Sequence, residues 1–257
     1  MTSKSKINIL FLRGLIRESR HSKFCMEHFE KMFPNASFYG LDIPGTGNLH
    51  LSSSFLSVRK NVLYLRDRFI KLVGTDQGQN NYLIGISMGG MMSIDWMQMF
   101  PEDFNKAILI NTSMSGVSPI YHRMYLSSFF QLLFVPLMPK ERWRQSIIYN
   151  LTSSLGPEQK KEVIDHWEMI ANTAPVSTVN SLRQLWSAIS FWPNKSKPNL
   201  PLQIFASEQD HLVNHQCSER IAKMWDLPIQ KHPKAGHDLL LDDPNWCAQK
   251  SAEFFLN

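Results

Sequence analysis

Short apolar runs alternate along this chain with longer stretches in which apolar residues recur every three to four positions. Residues 7–13 read as a mostly apolar run ending at Gly14, the pattern of a parallel strand buried on both faces. A helix is predicted over residues 22–33, closed by Pro34-Asn35. A short strand over 37–41 then ends in the turn Asp42-Ile43-Pro44-Gly45-Thr46-Gly47. Val62, Leu63, Leu65, Phe69, Ile70 and Leu72 give residues 58–73 a helical period. A strand over 82–86, a helix over 89–100 stopped by Pro101, and a strand over 106–111 follow.

The alternation then breaks. Residues 113–199 are rich in aromatic residues and methionine, with helical spacing and proline punctuation. It resumes with a strand over 202–206, a helix over 215–225, a strand over 228–232 and a closing helix over 244–255. Strand–helix alternation of this kind implies a mostly parallel sheet with helices on both faces. Residues 1–112 and 200–257 are therefore expected to form one α/β core. Residues 113–199 are expected to be a helical insertion at one sheet edge, lying over the strand ends.

A length of 257 residues suits one such core with an insertion. Its apolar fraction of 43% supplies a large core, and 19% charged residues argue against disorder. Net charge is +5, but no Lys/Arg run exceeds two residues, so nucleic-acid binding is not expected. Residues 1–6 are short and polar, and the apolar run after them is far shorter than a membrane span and lacks a small-residue cleavage site after it, so no signal peptide is expected. Cys25, Cys217 and Cys247, odd in number and widely spaced, read as reduced, buried thiols of a cytoplasmic protein.

Chemistry concentrates at Gly85-Ile86-Ser87-Met88-Gly89, between a predicted strand and a predicted helix. A serine on so sharp a turn stands clear of the sheet, and glycines two residues before and after keep bulk away from it. The pattern alone is common; strand and helix on either side turn it from a glycine-rich turn into a candidate nucleophile. A hydroxyl needs a histidine base, and the base needs an orienting carboxylate. Among nine histidines, His237 lies in Ala235-Gly236-His237-Asp238, after a late strand and before the last helix. His232 is the runner-up, inside or at the end of its strand. Asp210, just beyond the strand over 202–206, is the expected orienter; it could instead cap the next helix, and Glu208 is the other carboxylate there. Asp210 precedes His237 by 27 residues, room for one helix and one strand. Backbone N–H groups of Met88 and Leu15 are the expected oxyanion donors, with Gly14 allowing the tight turn.

With these residues in order, the chain resembles the α/β-hydrolase superfamily over nearly its whole length outside the insertion. The turns at Arg13-Gly14 and Asp42–Gly47, the segment Gly85–Gly89, and Asp210 with Gly236-His237 carry the likeness. The resemblance implies a six-stranded sheet, since the superfamily's first two strands have no counterpart here. It also implies a helical cap and acyl transfer without metal or organic cofactor. Arg13 stands where members usually have histidine; it is expected to pair with Asp42 or Glu18, the alternative being that Arg13, with Arg17 or Arg20, attracts an acidic group of the substrate. A serine nucleophile argues against haloalkane dehalogenase and epoxide hydrolase chemistry. Phe129, Phe130 and Leu133 in the insertion are expected to line an acyl pocket, which favours a small-molecule ester with an apolar chain. In size and layout the chain is also similar to esterases that demethylate pimeloyl carrier protein, in which basic cap residues receive an acidic carrier. His122, Arg123, Lys140, Arg142, Arg144 and Arg183 would fill that place here. A thioesterase, a C–C hydrolase or lyase with the same three residues, and a non-catalytic binding protein on this fold remain open.

Overall fold

A computed structural model of the chain describes residues 6–74 and 79–257. Residues 1–5, most of the polar lead that carries the expectation of no signal peptide, lie outside the described residues. Six strands, β1 (Ile7–Leu12), β2 (Ala36–Gly40), β3 (Asn80–Ile86), β4 (Lys106–Ile110), β5 (Leu202–Ser207) and β6 (Ile229–His232), form one sheet in the order β2-β1-β3-β4-β5-β6. Every pairing is parallel.

Residues along each inner strand alternate between two apolar layers, as a period of two demands. Leu10, Leu12, Leu83 and Leu109 join one layer, with α2 (Val58–Val73), α3 (Met88–Met99) and α9 (Gln216–Trp225). Ile9, Phe11, Ile84 and Ile108 face the other, with α1 (Lys23–Met32) and α11 (Pro244–Phe255). With helices on both faces, neither side of an inner strand meets water, which is why these strands read as apolar runs. Asn8 is the exception in β1: fully buried, its amide donates to Asn81 Oδ1 at 2.8 Å and to Gln79 Oε1 at 3.0 Å.

Between β4 and β5 run five helices: α4 (Ile120–Arg123), α5 (Leu126–Phe134), α6 (Glu141–Thr152), α7 (Pro157–Thr173) and α8 (Thr178–Ile189). Because β4 and β5 are neighbours inside the sheet, this block leaves from its interior and not from an edge as expected. The chain fills β2 on one side of β1 and then crosses to β3 on the other, so the carboxyl ends of β1 and β3 diverge into loops with a crevice between them. Those loops begin at Arg13 and Ser87. Among the described residues no helix is long and apolar enough to cross a membrane.

Candidate active site

Ser87 is the whole connection between β3 and α3. Its backbone, at φ 57° and ψ −119°, lies in a region that costs a residue with a Cβ about 1–3 kcal/mol. Neighbours hold it there: Ser87 N–H donates to Ile110 O at 2.9 Å, and Thr112 Oγ1 donates to Ser87 O at 2.8 Å. Two glycines bring the surrounding backbone in. A Cβ on Gly14 would lie 3.1 Å from Ser87 Cβ, so the loop after β1 rests against the serine. A Cβ on Gly89 would lie 2.0 Å from Leu12 O, which seats α3 directly on β1. Gly89→Ala is therefore expected to lower stability by about 3 kcal/mol, read as a lower urea midpoint. A midpoint like that of the wild type would mean that α3 yields without cost.

His237 lies between β6 and α10 (Leu239–Asp242). Its Nδ1 is 2.7 Å from Asp210 Oδ2, and both side chains are buried. Asp210 Oδ1 accepts from Leu212 N–H and Val213 N–H, each at 2.8 Å. A carboxylate only accepts, so Nδ1 carries a hydrogen, and in the neutral ring the lone pair is then on Nε2. Asp210 does not cap α9, whose N-cap residue is His215. The rivals have other partners: Glu208 pairs with Lys231 at 3.1 Å and His232 with Asp243 at 3.1 Å. Ser87 and His237 line one cavity of about 310 Å³.

Met88 opens α3, so its N–H has no carbonyl four residues earlier within the helix. In the loop after β1, Arg17 N–H donates to Gly14 O at 3.2 Å and Ile16 N–H to Gln184 Oε1 at 2.9 Å. Leu15 N–H, between them, makes no hydrogen bond among the described residues.

The sequence profile of the family described as "Serine aminopeptidase, S33" matches residues 3–244. The chain belongs to this S33 family. It is a hydrolase on the α/β-hydrolase fold. Among solved structures it is similar to an esterase from Exiguobacterium antarcticum, with 14% identity and a TM-score of 0.76 over 99% of this chain and 94% of that one. A lipase-esterase related protein from Clostridium acetobutylicum shares 14% identity and a TM-score of 0.74 over 98% and 95%. A 2-hydroxy-6-oxo-6-phenylhexa-2,4-dienoate hydrolase from Rhodococcus sp. strain RHA1 shares 16% and a TM-score of 0.73 over 98% and 91%. At such identities the likeness is one of fold. No curated relative matches the chain.

Two expectations for this S33 member are corrected. Arg13 pairs with neither Asp42 nor Glu18. Its Nη2 donates to Asp238 Oδ2 at 2.5 Å inside the protein. Asp42 instead accepts from Ser19 N–H, and Glu18 pairs with Arg20. Asp238 directly follows His237, so the loop that delivers the histidine also delivers this carboxylate. Phe130 does not line the cavity. It is 54% exposed, whereas Phe129, Leu132 and Leu133, at helical spacing on the inner face of α5, do line it.

Three residues near the site were not singled out from sequence. Asn111, at φ 46°, donates through its amide to His237 O at 2.8 Å and Ser207 Oγ at 2.9 Å, and so holds the histidine loop to the ends of β4 and β5. Gln184 holds the Leu15 loop, and Asp238 neutralises Arg13. Asn180 and Gln184, buried polar residues four apart on α8, left a readable trace, since polar groups on the inward stripe of a helix need partners.

Three acids and three cations of the cavity wall sort into pairs, with one cation left over. Asp238 holds Arg13, Glu141 accepts from Arg144, and Glu18 is held by Arg20 from outside the wall. Arg17 lies 3.7 Å above the Trp167 ring, and among the described residues its guanidinium makes no hydrogen bond. Desolvation lowers its pKa to about 9, with Asp238 opposing the shift and Arg13 adding to it. Burial, and then Arg17 and Arg13, hold the pKa of His21 well below its ordinary value, so this part of the wall stays neutral imidazole. All three cysteines are buried, and burial pushes the Cys25 thiol up to about 12, out of reach of thiolate chemistry. Among the described residues no three His, Cys, Asp or Glu side chains converge as a metal site.

Proposed function

We propose that this hydrolase is a serine carboxylic-ester hydrolase that works through an acyl-enzyme, with Ser87 as nucleophile, His237 as base and Asp210 as orienter. One observation carries the reading: a serine held in strained backbone opens on the same cavity as a histidine whose Nδ1–H is fixed by a buried carboxylate. His237 Nε2 takes the Ser87 proton as Oγ attacks the ester carbonyl. Met88 and Leu15 N–H groups receive the oxyanion, at the N-terminus of α3 where negative charge is favoured. His237 then protonates the leaving alcohol and activates the water that releases the acid.

A free small-molecule ester suits this site better than a carrier-bound one. Of the cap cations, Arg123 is buried, Arg142 bridges Asp165 and Glu168, and Arg183 donates to Ser54 O, so few remain for an acidic surface. The apolar wall beside Ser87 formed by Met88, Met91, Phe129 and Ile189 favours an acyl chain over a sugar or peptide.

A fluorophosphonate probe should label the folded protein, and peptide mass mapping should find the adduct on Ser87. Labelling should vanish after heat denaturation. Folded protein that resists the probe, or an adduct on another residue, would overturn the assignment.

A further inference from the structure

Ser87 stands where two cavities meet. One, of about 310 Å³, has His237, Arg13, Arg17 and Asp238 in its wall. The other, of about 290 Å³, has Met88, Met91, Ile120 and Ile189, and not His237. Leu15, Ser87, Phe129 and Leu212 belong to both. The second cavity's one charged residue among those described, Arg123, spends its guanidinium on Ser113, Ser115 and the carbonyls of Ala188 and Ile189. Nothing in that chamber is left to recognise a charge.

The first chamber differs. Arg13 Nε and Nη1 and Arg17 Nη2 are buried without a hydrogen-bond partner, as is Asp238 Oδ1. Two guanidinium groups face one carboxylate, which leaves one positive charge over. Arg13 and Arg17 both line this chamber, an unbalanced guanidinium charge is costly in a protein interior, and a carboxylate or phosphoryl group has the charge and geometry to answer it. Arg20 takes no part, being held by Glu18.

Which half of an ester enters which chamber follows from the chemistry. As the tetrahedral intermediate collapses, the carbonyl carbon keeps its bond to Ser87 Oγ, and the bond to the alcohol oxygen breaks with its electron pair on that oxygen. The proton taken from Ser87 must pass from His237 to the same oxygen. The leaving half therefore lies on the His237 side, and the acyl half points into the other chamber. We propose, building on the ester-hydrolase reading above, that the natural ester joins an apolar acyl chain, held in the Met88-side cavity, to an alcohol bearing an anionic group, held by Arg17 and Arg13 in the His237-side cavity.

Two matched ester pairs test this. In the first, butyrate esters of 4-hydroxyphenylacetate and of 4-ethylphenol place a negative charge, or none, on the leaving group. In the second, the 4-ethylphenyl esters of glutarate (monoester) and of hexanoate do the same on the acyl group. Wild-type kcat/KM should be about 10- to 100-fold higher for the charged leaving group than for its neutral partner, and the charged acyl group should confer no gain. A butyrate ester of 4-hydroxybenzylphosphonate separates a phosphoryl head from a carboxylate, and a gain with either anion supports the proposal. Arg17→Met, which keeps the contact with Trp167, should collapse the charged-to-neutral ratio of the first pair to about threefold or less, with Arg17→Lys retaining part of it. A preference for the charged acyl group, no preference at all, or a preference that survives in Arg17→Met overturns the proposal. Should Arg17→Met fail to fold, the wild-type ratios decide. Ser87-dependent turnover of the neutral esters without charge preference refutes only this inference. No Ser87-dependent turnover of any of the five esters refutes the ester-hydrolase reading with it.

Discussion

Ser87→Ala is expected to lower kcat/KM for aryl butyrates by about 10⁴- to 10⁶-fold while the protein stays folded. That loss equals roughly 5–8 kcal/mol of transition-state stabilisation. Alanine keeps the Cβ at this position, so the backbone strain at φ 57° is unchanged and the thermal midpoint should move by no more than about 2 °C. A loss of activity with an unmoved midpoint separates chemistry from folding. Adding His237→Ala to Ser87→Ala should lower the rate little further, because a base with no nucleophile to serve contributes nothing. Activity within about tenfold of wild type in Ser87→Ala would remove the serine from the mechanism.

Asp210→Asn should lower kcat by about 10³- to 10⁴-fold with a small change in KM. The reason lies in which oxygen is spoken for. Leu212 and Val213 N–H groups both point at Oδ1, so in the variant the amide oxygen must stay there. The NH₂ group then takes the place of Oδ2 and faces His237 Nδ1 as a donor. Imidazole can answer only by accepting at Nδ1, which moves its own hydrogen to Nε2 and leaves no lone pair for the Ser87 proton. Glu208→Gln, by contrast, should stay within about threefold of wild type, since Glu208 lies at the surface against Lys231. Steady-state rates on one aryl ester decide both. A mild Asp210→Asn or a crippled Glu208→Gln would reassign the orienter.

Much of this molecule was legible in one dimension because much of it is built from short-range rules. Residues 58–73 were bounded to the residue, since the apolar stripe of α2 begins and ends with the helix. The other core elements fell within one or two residues of their ends, where helix and strand fray into loops. Ser87 could be singled out because a strand, a sharp turn and a helix are all local. The attachment of the cap was misread, since a break in alternation marks where an insertion begins but carries nothing about which strands flank it in the sheet. Phe130 was misplaced for a related reason: apolar residues occupy more than one face of α5, and one of its few polar residues, Ser128, is buried, so the sequence of α5 does not say which side faces in.

By itself, then, the sequence determined the order of strands and helices, the strained serine turn, and the loops that carry His237 and Asp210. These follow from periodicity and turn chemistry over a few neighbouring residues. Only the tertiary structure decided the charge pattern of the cavity. Arg13 finds Asp238 across 225 residues of chain, passing over the nearer Glu18 and Asp42, and Arg17 comes to lie on Trp167 with no acid of its own. In a low-dielectric interior such pairings are set by separations of a few ångströms, and distance along the chain does not encode them.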